Sequence, residues 1–226
     1  MENTVIRLKE VVKIYDGEYK VAAVNGISMS VERGSFSCIA GPSGSGKTSL
    51  LNLMGGLDKP TSGDVFIEDK NIAKFSRTKL SDFRLKKLGF VFQELNLIPV
   101  LTIRENIEFP LLLQGWDETR KKKAVNDIIE ELGLEKLSER RPLSISGGQQ
   151  QRAAVARAIV SNPAVILADE PTANLDSGNA RSLIGLMNRL NREKGITFVL
   201  SSHDEMVLKE AGSIIYLRDG KIIQGA

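Results

Sequence analysis

The chain has 226 residues, of which 42% are hydrophobic and 26% charged, enough for one large domain with a sizeable buried core. Its 31 Lys plus Arg against 28 Asp plus Glu leave a net charge of +3, too even a balance for the concentrated basic footprint of a nucleic-acid binder, so no nucleic-acid partner is expected. One cysteine, Cys38, excludes an intramolecular disulfide. No apolar run approaches the roughly 18 residues of a membrane span, and residues 1–4 do not begin a signal peptide. The expectation is a soluble cytoplasmic protein that meets a membrane only through a partner.

In chain order, short apolar runs rich in β-branched residues at 5–8, Phe36–Ala40, 88–92, 165–168 and 197–200 read as buried strands. Helix-like stretches stand among them at Lys47–Met54, 118–132, 149–161 and Ser177–Lys194. This alternation predicts an α/β fold with a mostly parallel sheet and helices on its faces. In 118–132, Ala124, Ile128, Ile129 and Leu132 recur at helical spacing, and the basic run 120–123 reads as a solvated face. Residues of about 94–160 hold few strand-like runs and much helical periodicity. They predict a helical subdomain inserted into a core made of 1–93 and 161–226, all within one domain. Near the end, the apolar runs 214–217 and 221–223 flank Asp219-Gly220, a hairpin signal.

Gly41-Pro42-Ser43-Gly44-Ser45-Gly46-Lys47-Thr48, followed by Ser49, matches G-x-x-x-x-G-K-[ST] between a predicted strand and a predicted helix, the context that gives this pattern meaning. The glycines let backbone N–H groups turn in around a phosphate, and the helix N-terminus adds partial positive charge. Lys47 reaches the β- and γ-phosphates of a nucleotide, and Thr48 offers a hydroxyl to Mg²⁺. Cys38, just upstream, reads as a small core residue. A second apolar strand ends in Asp169-Glu170. Asp169 is placed to hold Mg²⁺, and Glu170 to polarise a water attacking the γ-phosphate.

Ser146-Gly147-Gly148-Gln149, followed by Gln150-Gln151-Arg152, resembles the signature motif of ABC-transporter ATPases. Ser146 is a good N-cap and the glycines permit close backbone approach, so the helix that follows presents another anion-binding N-terminus. In that family the motif completes the ATP site of a second subunit. The family pattern begins with Leu where this chain has Ile145, a volume-conserving change that typically costs under about 1.5 kcal/mol. The rest of the family's set follows in order over nearly the whole chain. Gln93 resembles the Q-loop glutamine that contacts Mg²⁺, Ala173-Asn174-Leu175-Asp176 the D-loop that crosses the dimer interface, His203 the switch histidine at the γ-phosphate, and Tyr15 the aromatic residue stacked on adenine.

Residues 51–58, 104–110 and 168–176 resemble the lipoprotein-release and macrolide-export branch, whose permeases are FtsX-like. The resemblance implies a P-loop ABC ATPase core with a mostly parallel sheet, an antiparallel β portion and an inserted helical subdomain, and an ATPase using ATP and Mg²⁺, dimerising with a second copy of itself around two ATP and driving an FtsX-like transmembrane permease from the inner face of the cell membrane. Lipoprotein release, efflux and peptide-antibiotic defence stay open as roles, as does a signalling adaptor that switches a membrane partner without transport. A P-loop kinase fits the cradle but not residues 146–149 and His203. A soluble DNA-repair or translation relative fits the core but lacks its tandem cassettes here. Leu95, Leu97, Ile98, Pro99, Val100 and Leu101 are too apolar for a free loop and read as either core of the helical subdomain or a docking groove; the resemblance, which places the permease groove beside the Q-loop, implies docking for part of the run, with Leu97 as an exposed member and Trp116 close by.

Overall fold

A computed structural model describes residues 3–17 and 19–223. Among them the elements follow as β1 (Thr4–Tyr15), β2 (Val21–Glu32), β3 (Phe36–Ala40), α1 (Lys47–Met54), β4 (Ser62–Ile67), β5 (Lys70–Asn71), α2 (Arg77–Lys87) and β6 (Leu88–Val91). Then come α3 (Ile103–Leu113), α4 (Glu118–Glu131), α5 (Gly147–Ile159), β7 (Val165–Asp169), α6 (Ser177–Lys194), β8 (Phe198–Ser202), α7 (Glu205–Glu210), β9 (Ser213–Arg218) and β10 (Lys221–Ile222).

Two sheets form. One is antiparallel, in the order β2-β1-β4-β5; the other runs β10-β9-β3-β8-β7-β6 and is parallel except for the β9–β10 hairpin. Successive side chains of a strand face opposite ways, so each parallel strand feeds two cores. Ile39 and Leu167 join the core with α1 and the antiparallel sheet, including Val5, Leu8 and Leu50. Their neighbours Cys38 and Ile166 join the other core, with Val155 of α5 and Leu183 and Met187 of α6. All five residues of β3 are buried, which explains its unbroken apolar character. Between β6 and β7 the described residues contain no strand, only α3, α4, α5 and two short 3₁₀ turns.

The helix ends follow side-chain chemistry. Thr102 and Glu105 form a reciprocal capping box that starts α3, with bonds of 3.1 and 2.7 Å. Asp176 caps α6, which stops at Gly195 in the left-handed conformation (φ 65°). The run at 5–8 belongs to the antiparallel sheet, not the parallel one, because it is the buried stretch of a twelve-residue strand carrying several register shifts. Parallel strands β3, β7 and β8 all end at the same sheet edge, where an open α/β sheet places its ligands.

Candidate nucleotide site

The segment after β3 turns tightly because its glycines admit what no side chain would. A Cβ on Gly41 would lie 2.2 Å from the Leu217 carbonyl oxygen, and one on Gly46 2.1 Å from that of Ala23. Gly46 also has φ 102° and, as the residue before α1, supplies no side-chain cap, so the first amides of α1 are left for an external acceptor. The buried Ser45 hydroxyl has no hydrogen-bond partner among the described residues, although the backbone N–H of Gly220 ties the loop down by donating to the Ser45 carbonyl at 3.0 Å. Lys47, only 7% exposed, donates to the carbonyls of Gly41 and Pro42 at 2.8 and 3.1 Å. A loop of inward amides, an unbonded hydroxyl and a nearly buried ammonium is the donor set of an anion site.

Strand register supplies the acids. β7 and β8 pair with Asp169 opposite Ser201, and the Ser201 hydroxyl donates to Asp169 Oδ1 at 2.6 Å while accepting the Glu170 N–H at 2.9 Å. The Thr48 hydroxyl donates to the same Asp169 oxygen at 3.1 Å. Glu170 leaves the strand with φ 43°, a conformation rare for a side-chain-bearing residue and often retained at functional sites. The turn separates the two carboxylates. Asp169 faces Thr48 and Ser201, whereas Glu170 Oε1 lies 3.0 Å from His203 Nδ1 and 3.4 Å from Lys47 Nζ.

Lys47, Thr48, Glu170 and His203 line a cavity of about 550 Å³ together with Ser43, Gly44, Gly46, Ser49 and Gln93, whereas Gly41, Pro42, Ser45 and Asp169 do not line it. Ala173, Val21, Ala22, Ala23, Asp219 and Gly220 complete its wall; of these only Ala173 was tied to the nucleotide from sequence, through the D-loop resemblance, and Ser201 was not foreseen as an anchor for Asp169. The hairpin signal at Asp219-Gly220 marked the turn but not what it would face. Tyr15 does not line the cavity. It stands beside it, 40% exposed, with its phenol donating to Asp58 at 2.9 Å and lying 3.5 Å from the Ser49 hydroxyl, while Lys13 sits 4.8 Å from its ring centre. Burial works against the Asp58 carboxylate, but hydrogen bonds from Lys13 and Tyr15 outweigh it and hold its pKa below the usual value.

Ser146, Gly147, Gly148 and Gln149 also lie off this cavity, as does Asp176. Ser146 and Gln149 form a capping box on α5, and Gly147 has open space where a Cβ would be. A Cβ on Gly148 would meet Asn179 Oδ1 at 2.8 Å, and Asn179 is bonded in turn to Asp176. The α5 N-terminus and the Asp176 turn are therefore packed together. The Asp176 carboxyl is held below its usual pKa, first by the Asn179 N–H.

In the run after Gln93, Leu97 is a correction: it packs against the helical core, and Pro99 and Val100, the latter 71% exposed, are the outward residues. Leu97 is drawn inward because Asn106, fully buried, holds its neighbour Ile98 by bonds to both the N–H and the carbonyl. Trp116 also packs on that core, and Arg120 covers its ring at 3.6 Å. Burial, then the charge of Glu170, pushes the Cys38 thiol up to about 12, so it is an inert core group.

Strand, glycine-rich turn and helix, with a carboxylate at the end of β7, one strand beyond β3's neighbour β8, define a P-loop nucleotide-binding fold. The family model described as ABC transporter matches residues 24–173. The chain is 42% identical to the ABC transporter ATP-binding protein YxdL of Bacillus subtilis (strain 168), over 96% of this chain and 84% of that protein. It is 41% identical to the lipoprotein-releasing system ATP-binding protein LolD of Pseudoalteromonas translucida, over 98% and 96%. The solved dimeric structure of the ATP-binding cassette MJ0796 in a post-hydrolysis state with ADP and Pi superposes with a TM-score of 0.89 at 40% identity, covering 97% of each chain. The chain belongs to the ABC transporter family, as an ATP-binding ATPase cassette. No helix among the described residues is long and apolar enough to cross a membrane.

Proposed function

We propose that two copies of this chain close around two ATP molecules and that closure drives an FtsX-like permease from the inner face of the cell membrane, in lipoprotein release, efflux or peptide-antibiotic defence. The observation that carries the shared site is a separation within one copy. Lys47, Thr48, Glu170 and His203 line one cavity, with Asp169 bonded to Thr48 beside it, while the capped but outward-facing α5 N-terminus at Ser146 lies elsewhere. A second copy would bring that N-terminus to the γ-phosphate, adding N–H donors where charge develops during transfer.

Within each half-site, Lys47 would exchange its carbonyl acceptors for β- and γ-phosphate oxygens. Glu170 would orient and polarise the attacking water, and His203, 3.0 Å from it, would donate to the γ-phosphate. The oxygen donors Thr48, Asp169 and Gln93 suit Mg²⁺, which keeps most of its shell as water and phosphate and would neutralise developing charge. Residues of about 94–160 would move as a helical subdomain against a core of 1–93 and 161–226.

The test is Mg-ATP hydrolysis by the purified chain over a range of chain concentrations, paired with affinity purification from native membranes and identification of the co-purifying protein. The rate per copy should rise with concentration as dimers form, and a permease should co-purify. A rate per copy independent of concentration, in a chain that stays monomeric with ATP, would overturn the shared site. Failure to recover any membrane protein would overturn the permease reading.

A further inference from the structure

At the sheet edge opposite the nucleotide cavity, where β3 and β9 begin, lies a second cavity of about 580 Å³. It matches the nucleotide cavity in size, and β3 separates the two, with Phe36 and Ser37 at this end and the glycine-rich turn at the other. Its walls come from the end of β2 and the turn after it, the C-terminal half of α6 and the junction between α7 and β9.

The polar groups on these walls are held in place but not used up. Asn188 of α6 is only 6% exposed, and its Nδ2 donates to the Glu210 carbonyl at 3.2 Å and to Glu210 Oε2 at 2.8 Å. Two acceptors on that side fix which way round the amide lies, so Oδ1 is turned from Glu210, and it accepts no hydrogen bond among the described residues. Asn191, one turn along, repeats the pattern. Its Nδ2 donates to the carbonyls of Gly34 and Ile196 at 2.9 and 2.7 Å, and its Oδ1 is again without a donor among the described residues. A buried amide oxygen in this condition needs a donor from outside the chain. The hydroxyls are ordered as well. Ser35 Oγ donates to the Glu32 carbonyl at 2.8 Å, so Ser37 must donate to Ser35 at 3.1 Å, while Ser213 donates to Ser37 at 2.8 Å and keeps only acceptor capacity.

Three charged side chains line the same cavity, Glu32, Glu210 and Arg192, and none forms an ion pair among the described residues. Arg192 stands one helical turn from Asn188, about 5–6 Å away between Cβ atoms. An ammonium group has three donors and no acceptor, which suits Asn188 Oδ1, Ser213 Oγ and the Glu210 carboxylate together. A carboxylate one turn away meets the unpaired guanidinium of Arg192. An ammonium and a carboxylate at that separation are the head of an amino acid. Glu32 is left over, and two carboxylates against one guanidinium favour a ligand with one excess positive charge. A phosphate would face both carboxylates and bare amide oxygens, and an apolar ligand would strip water from all of them. We propose that this cavity binds a basic amino acid, with its α-ammonium on Asn188 and Glu210, its carboxylate on Arg192 and its side-chain cation towards Glu32.

The test is isothermal titration calorimetry of the complete chain at about pH 6.5, where α-amines are still largely protonated. The probes are L-lysine, L-lysinamide, which lacks the carboxylate, and L-norleucine, which lacks the side-chain cation, each with and without saturating Mg-ATP. L-Lysine should bind saturably at one site per chain, about five- to ten-fold tighter than either analogue, and equally well with Mg-ATP present. Arg192→Gln should erase the advantage over L-lysinamide alone, and Glu32→Gln the advantage over L-norleucine alone. Both side chains are exposed and form no bond among the described residues, so neither change endangers the fold, and basal ATP hydrolysis should be unchanged in both variants. No saturable binding up to about 10 mM L-lysine, equal affinity for the three probes, affinities that neither variant moves, or displacement of L-lysine by Mg-ATP would each overturn the proposal.

Discussion

Asn174 Nδ2 donates a 3.0 Å hydrogen bond to the backbone carbonyl of Gln93. β6 and β7 are parallel neighbours, so the segments leaving them run side by side, and this bond ties the turn leading to Asp176 to the residue that begins the long helical stretch. Asn174→Ala removes the only side-chain donor to that carbonyl among the described residues, and Asn174→Asp replaces it with an acceptor. Both variants should turn over ATP about 3- to 10-fold more slowly, as expected for losing about 1 kcal/mol of positioning, with ATP affinity kept. Steady-state kinetics beside direct nucleotide binding will separate the two quantities. An equal loss in both would mean that the bond merely holds the fold.

Glu170→Gln should keep ATP binding and lower turnover by about 10²–10⁴-fold, since the amide preserves shape but cannot serve as a base. Two copies should then stay closed around ATP. Light scattering with and without Mg-ATP measures this directly, and a variant with near wild-type turnover would remove Glu170 from the role. His203 and Lys47, at 3.0 and 3.4 Å, would still find an oxygen acceptor in the amide, which argues against local collapse as the cause.

The site was more legible in the sequence than the fold around it, for a physical reason. Phosphate chemistry demands particular residues at fixed spacing, and Gly41 to Thr48 and the strand-end pair Asp169-Glu170 declare themselves in that way, whereas His203 was reached only through the resemblance. Buried strands such as β3 and β7 were visible as unbroken apolar runs. By contrast, β2 escaped notice because it is mostly exposed, with Asn25, Gly26, Ser28 and Ser30 among its residues. The helix α2 is so charged that only Leu80 and Phe83 face inward, and α3 carries Pro110 inside it. The inward turn of Leu97 depends on Asn106, a buried amide whose task no local pattern reveals.

Acid should act on the tie around Glu68. Its carboxyl is drawn below the usual 4.5, first by the Lys87 ammonium at 2.8 Å and then, against a burial penalty, by Arg33 at 3.1 Å. A lowered carboxylate pKa contributes stability that is present above the unfolded value near 4.5 and lost as pH falls through the folded one. Glu68→Gln should therefore melt about 1–3 °C below wild type at pH 7, the scale of a partly exposed ion pair, and the gap should close as the pH is lowered past 4.5. Thermal melts at several pH values test this; a gap that widens in acid would contradict the assigned sign.

Cys38 should be silent in the native protein. With full burial and a thiol pushed up to about 12, its thiolate is scarce at pH 8 and a reagent cannot reach it. Ellman's reagent should titrate essentially no thiol in buffer and the single thiol after unfolding in guanidinium. Native reaction at the rate of a free thiol would place Cys38 outside the core, and with it the facing of β3.

Ser146→Arg tests whether one copy completes the site of another. Ser146 Oγ accepts the Gln149 N–H at 3.4 Å and Gln149 Oε1 accepts the Ser146 N–H at 3.0 Å, so any replacement loses a cap worth about 1 kcal/mol. Ser146→Ala carries that loss alone and should remain largely active. Arginine adds a bulky cation in front of α5, where a phosphate from the other copy would need N–H donors, so turnover should fall to background while ATP binding at the distant cradle persists. Lys47→Ala has the converse defect, an intact α5 N-terminus and a damaged cradle. Mixing the two inactive variants pairs the sound cradle of one with the sound N-terminus of the other, and activity should return above that of either alone. If Ser146→Arg hydrolyses ATP as fast as Ser146→Ala, the α5 N-terminus takes no part in the reaction. If it is inactive and mixing restores nothing, its defect lies within its own copy.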